Sequence, residues 1–92
     1  MQIILTERFQ EDVESLSDQQ KDQVFSVILK LPRAMKELHQ HSGLGLRKIH
    51  SSGVFELRIG LGLRVAFGWQ KNAALLHRVG THDEIQKFLK SL

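Results

Sequence analysis

The spacing of apolar and polar positions changes period near the middle of this 92-residue chain. Residues 2–5 form a mostly apolar run that reads as a short first strand. Thr6 can cap a following helix in which Phe9, Val13 and Leu16 recur at helical spacing. Ser17 with Gln20 has the form of a capping box and opens a second helix. Val24, Phe25, Ile28 and Leu29 are predicted to share one buried stripe of that helix. Pro32 has no backbone N–H and disfavours helix at Leu31, so the helix is predicted to end or kink there. One further turn through Met35 and Leu38 is expected before a loop at 39–45.

Beyond that loop the period becomes two. Phe55, Leu57 and Ile59 alternate with Glu56 and Arg58, which predicts a strand with one buried face. Gly60-Leu61-Gly62 reads as a tight turn. Leu63, Val65, Phe67 and Trp69 alternate with Arg64, Ala66 and Gly68 on the return strand. Gln70-Lys71-Asn72 reads as the next turn, 73–79 as a further strand, and 46–50 as the strand before Phe55. Ile85, Phe88 and Leu89 give a terminal helix over 82–90. The expected architecture is a single α+β domain over residues 1–92, in the order β-α-α-β-β-β-β-α, with an antiparallel sheet packed on an N-terminal helix pair. Strict alternation puts Phe55, Phe67 and Trp69 toward the helices. It puts Glu56, Arg58, Arg64 and Arg78 on the opposite face, together with Ala66, Gly68, Ala74 and Leu76. The terminal helix is expected to cover part of that second face and to leave an arginine-bearing strip open.

Composition narrows the class. With 41% hydrophobic and 25% charged residues the chain is an ordinary globular one rather than a disordered one. It has no cysteine, which removes disulfides and thiolate metal sites and fits a reducing compartment. The apolar start is too short for a signal-peptide core and no stretch approaches membrane-spanning length, so a cytoplasmic location without membrane attachment is expected. The net charge of +3 is modest, but its distribution is not. Residues 1–20 carry five acids against Arg8, a net of −4. Residues 30–71 carry eight bases against Glu37 and Glu56, a net of +6. A local basic field of this kind suits RNA or an acidic protein partner.

The segments Val54-Phe55-Glu56-Leu57-Arg58-Ile59, Gly62-Leu63-Arg64-Val65-Ala66-Phe67 and Leu76-His77-Arg78-Val79-Gly80-Thr81-His82 together resemble the core signature of the RelE/ParE toxin superfamily. Pro32-Arg33 followed by Lys36 and Leu38 sits where that family often ends its long helix. The resemblance implies the toxin of a type II toxin–antitoxin pair, with a cognate antitoxin as partner. RelE-like members cut messenger RNA in the ribosome and so inhibit translation; ParE-like members inhibit DNA gyrase instead. By the resemblance, Arg64 matches the strand arginine used on the scissile phosphate, and Arg58 falls where the preceding strand often has a base. His82 matches a catalytic histidine of the YafQ-like subgroup. Two features depart from RelE: the chain has no tyrosine, with Gln86 where an aromatic is expected, and Glu56 stands in place of a lysine. They favour a ParE-like or catalytically silent protein that acts by protein binding, whereas Gly80-Thr81-His82 favours an mRNA endonuclease.

The chemistry of such an enzyme is simple to state. Without a metal, RNA cleavage uses the ribose 2′-OH as nucleophile. It needs a base for that proton, an acid for the 5′-oxygen and cations for the phosphorane charge. Histidine suits either proton role, and arginine presents a permanently charged fork to phosphate. Arg64, His82 and Arg58 are therefore the catalytic candidates. Arg47, Lys48, His50, Arg78 and Lys87 are candidates for RNA binding. Each also has a plainer role: a solvated sheet arginine, a helix-start residue in His82, a structural residue in His50. His77, on the alternation face of Leu75 and Val79, reads as a core histidine, and Trp69 as a core aromatic. His39 and His41 lack a third ligand at a recognised spacing, so neither a metal nor a small-molecule cofactor is expected.

Overall fold

The computed structural model describes residues 1–36 and 46–92. Its elements are β1 (Gln2–Leu5), α1 (Glu7–Glu14), α2 (Asp18–Lys36), β2 (Arg47–His50), β3 (Val54–Ile59), β4 (Leu63–Gln70), β5 (Ala73–Gly80) and α3 (His82–Lys90). These are the eight elements the pattern predicts, in the predicted order, and the fold is α+β. Each helix starts on a side chain that takes up orphan backbone N–H groups. The Thr6 hydroxyl accepts from Phe9 N–H at α1. At α2, Gln20 N–H donates to the Ser17 hydroxyl and Ser17 N–H to the Gln20 side chain. Thr81 and Glu84 form the same reciprocal box at α3.

The sheet order is β1-β5-β4-β3-β2. Three consecutive hairpins join β2 to β5, all antiparallel. The last turns on Lys71 and Asn72, both at positive φ (52° and 60°), with Gln70 opposite Ala73. That is the two-residue geometry whose twist matches the flanking strands. The expectation of an antiparallel sheet fails at one edge: β1 runs parallel to β5, from Gln2 opposite Ala73 to Leu5 opposite Leu76. Nearly all the chain lies between these two strands, so no tight turn dictates their direction.

The main core lies between the sheet and the two N-terminal helices. Phe9, Val24, Leu31, Leu57, Val65, Phe67 and Leu76 are all fully buried in it. The predicted stripe of α2 is half right. Val24 and Ile28 are buried, but Phe25 and Leu29 are 47% and 81% exposed. The inward line runs instead through Val24, Ile28, Leu31 and Met35, with Val27 partly buried beside it. Pro32 does not end the helix, which continues to Lys36. An interior proline costs about 3 kcal/mol, and burial of Leu31 and Met35 offsets it at roughly 1.5–3 kcal/mol each. The expected turn through Leu38 and the loop at 39–45 fall outside the described residues.

A smaller cluster lies on the other face, where Ile85 of α3 packs on Val54 and Ala66, with Ile49, Phe88 and Leu89 around them. The expected assignment of β5 to this face needs correction. Ala66 pairs with Arg78, but the next residue, Phe67, pairs with Leu76, so His77 is a bulge. The extra residue shifts alternation by one. Ala74 and Leu76 therefore join the main core. His77 is not a core residue under the N-terminal helices; its ring meets Phe88 of α3, 5.5 Å between centroids. Among the described residues no helix is long and apolar enough to cross a membrane, and no three His, Asp or Glu side chains gather as a metal site.

Candidate nucleic-acid interface

Register arranges the second face in rows across the strands. Arg58 on β3 lies opposite Arg64 on β4, which lies opposite Gly80 on β5. One row further along come Arg47, Glu56, Ala66 and Arg78. The third row holds His50, Val54, Gly68 and Leu75. Adjacent rows are two residues apart, about 6.5–7 Å. α3 covers Val54 and Ala66, while at the arginine end Arg58 is exposed and Arg64 keeps about a quarter of its side chain accessible. Like charges directly opposite one another disfavour pairing, so the Arg58–Arg64 neighbours concentrate positive charge at a cost to the sheet.

Gly80-Thr81-His82 turns β5 into α3 at this same end. A Cβ on Gly80 would come within 3.0–3.2 Å of Glu84, so glycine lets the helix start close against the strand. Thr81 N–H donates to the Glu84 carboxylate at 2.9 Å and holds that group below the usual carboxylate range. His82 is the first helical residue and is exposed. The fold thus brings the backbones of Arg58, Arg64 and His82 to one end of the sheet.

Glu56 sits in the middle of the face and is the buried charged residue there, only 2% exposed. Its Oε2 accepts from Nε of Arg47 at 3.0 Å, and its Oε1 lies 3.3 Å from Nε of Arg64. Arg64 is three-quarters covered, while Arg47 extends into solvent. Arg78 is differently engaged. Its Nε donates to Asp12 Oδ2 at 2.6 Å and its Nη2 to Oδ1 at 3.2 Å. These bonds raise the Arg78 pKa further above its ordinary value, and Asp12 also accepts from Val79 N–H. While this pair holds, Arg78 ties α1 to β5, and the side of its fork facing Asp12 is closed to RNA.

The remaining candidates scatter. Lys48 lies opposite Phe55, whose ring stacks on Phe67 in the main core, so it stands on the α2 side, away from the arginine strip. His50 is on the arginine face but roughly 13 Å along the strand from the Arg58 row, and its Nδ1 is bound to Ser52 at 2.7 Å. Lys87 is exposed on α3. Trp69 packs partly buried against the main core. Burial lowers the His77 pKa. Alternation alone placed Glu56 on this face; its two arginine partners depend on strand register. Asp12 carried no sequence signal, because its partner lies 66 residues away.

No family model and no curated protein matches this sequence. Solved structures do match. A copper-bound mutant toxin from Helicobacter pylori superposes with a TM-score of 0.69 at 18% identity, covering 92% of this chain and 98% of that one. The RelB–RelE antitoxin–toxin complex from Methanococcus jannaschii gives 0.66 at 13%, covering 92% and 96%. The fold is that of the RelE-like toxins. YafQ from E. coli matches with 0.58 at 18%, covering 90% and 94%. The RelE-like fold therefore spans nearly the whole chain, at identities where fold is shared and side-chain chemistry is not implied.

Proposed function

We propose that this chain is the toxin of a type II toxin–antitoxin pair and that it cuts messenger RNA on the ribosome, in the cytoplasm, as one RelE-like domain over residues 1–92. The row of Arg58, Arg64 and the Gly80-Thr81-His82 turn is the observation that carries this reading. It gives two cations for the phosphorane and an exposed imidazole for proton transfer at one end of an open face. Fixed donors of this kind contribute about 3–4 kcal/mol each to such a transition state. Toxins among the fold neighbours, several in complexes with antitoxins, support the partner. An acidic or amphipathic antitoxin segment would cover the arginine strip or displace α3. The test is primer extension on cellular mRNA after induced expression, which should show new 5′ ends within translated frames. Co-expression with the product of a neighbouring short reading frame should suppress them and yield a co-purifying complex.

A second reading is protein binding alone, as a gyrase inhibitor or a silent relative. The position of Glu56 favours it, because a carboxylate between Arg47 and Arg64 lowers the charge of the face. Growth arrest with intact mRNA and inhibited supercoiling would select it.

A further inference from the structure

A buried carboxylate is costly unless it is paired and hydrogen-bonded. Glu56 meets that demand through two arginines from the strands on either side: it accepts a hydrogen bond from Arg47 Nε at 3.0 Å and forms an ion pair with Arg64 Nε at 3.3 Å. An arginine held at Nε alone keeps its four Nη–H donors, three of which point away from the carboxylate. Asp12 grips Arg78 by Nε and Nη2 together and closes one side of that fork. The two carboxylates thus sort the arginines of this face: Asp12 takes two donors of Arg78, while Glu56 engages Arg47 by a hydrogen bond and Arg64 by an ion pair, each through Nε alone.

We infer that Glu56 is a positioning residue, whose buried carboxylate fixes Arg47 and Arg64 as a two-pronged clamp with their Nη–H edges toward a single-stranded RNA phosphodiester. This rests on the RNA-cleaving reading above and assigns Glu56 and Arg47 roles within it. Arg64 takes the scissile phosphate and Arg47, two strands away, the neighbouring one. The fixed orientation spares the rotamer entropy that two long side chains would otherwise lose on binding. The opposite expectation is that Glu56 simply cancels charge, and the two differ in sign. In Glu56→Gln the amide oxygen accepts from one Nε–H while the amide nitrogen faces the other as a second donor, so one arginine is released.

On programmed ribosomes, Glu56→Gln should lower kcat about tenfold, as expected for loss of a charge-assisted hydrogen bond, with KM unchanged or smaller because the face gains positive charge. Cleavage as fast as wild type, or faster, overturns the clamp. A second measurement does not depend on cleavage and uses the conservative lysine variants only to assign signals. In the wild-type protein, 15N spectra should show two arginine Nε–H signals in slow exchange with water, removed one each by Arg47→Lys and Arg64→Lys. Adding a hexauridylate RNA should shift both. Protected signals that respond to RNA in a protein that does not cut mRNA keep the clamp and discard the nuclease. Signals in fast exchange, or signals indifferent to the RNA, discard the clamp whatever the protein cuts.

Discussion

Leu57 and Ile59 point to one side of β3, and Val54, Glu56 and Arg58 to the other. Under α2 the sheet meets an apolar layer with Leu57, Val65, Phe67 and Leu76 fully buried. Under α3 it meets three buried residues, Val54, Ala66 and Ile85, and then a field of arginines around one carboxylate. The same alternation serves both faces, but the free energy is unevenly placed. Apolar burial on the α2 side supplies most of the stability and leaves the other side free to carry charges that repel each other. Folding and the proposed RNA cleavage should therefore respond to largely different substitutions, with Arg64 beside the buried Glu56 the point of overlap.

The largest effect should come from Phe67→Ala, which empties a fully buried site in the main core and should cost about 3–5 kcal/mol in chemical denaturation, a large share of the stability of a domain this size. A smaller loss than that of Ile85→Ala would reverse the comparison. Next is Arg64→Ala, expected to slow single-turnover cleavage about a hundredfold. It also leaves Glu56 with Arg47 alone, so stability should fall too. Arg64→Lys separates the two effects, restoring a cation beside Glu56 but not the planar fork. His82→Ala should lower the single-turnover rate less steeply than Arg64→Ala, by removing the proposed proton-transfer group.

The bulge residue should give a smaller, pH-dependent effect. Burial holds folded His77 below its ordinary value of 6.5. As pH falls through about 6.5 the unfolded chain takes up the proton first, so stability drops with acid until the folded value is passed. His77→Gln should flatten that part of the denaturation-midpoint profile. The smallest effect belongs to Leu29→Gln on the outer side of α2: with Leu29 81% exposed, the midpoint should shift by no more than about 0.5 kcal/mol.

Features that depend on neighbours along the chain were legible in advance. Thr6, the Ser17–Gln20 box, the Gly60–Gly62 turn and the terminal helix all follow from spacing within a few residues. Phe25 and Leu29 misled because helical spacing fixes that residues share a face, and only packing decides which face turns inward. Of the two outcomes Pro32 allows, the helix does not end there, because burial of Leu31 and Met35 on either side offsets the local penalty, and the expected continuation through Met35 holds. The bulge at His77 was invisible, since Leu75, Leu76, His77 and Arg78 carry no period of their own, and with it went the correct face for Ala74 and Leu76. The cations Arg58 and Arg64 were readable from alternation. Arg78 looked the same in sequence and differs only through Asp12, a partner brought in from α1.

The short β1 has a consequence for the order in which the chain can fold. It stops at Leu5, opposite Leu76. From there Thr6 hydrogen-bonds the carbonyls of Leu76 and His77, and Asp12 takes Val79 N–H and Arg78. Every one of these bonds closes a loop of more than 60 residues. Loop closure of that length delays such contacts relative to the local hairpins. The hairpins from β2 to β5 can zip one after another, while β1 and α1, made first, have nothing to pair with until β5 exists. A chain interrupted before residue 73 would therefore lose the anchorage of its first strand and helix as well, and the hairpin β4–β5 becomes the platform on which the N-terminus is assembled last.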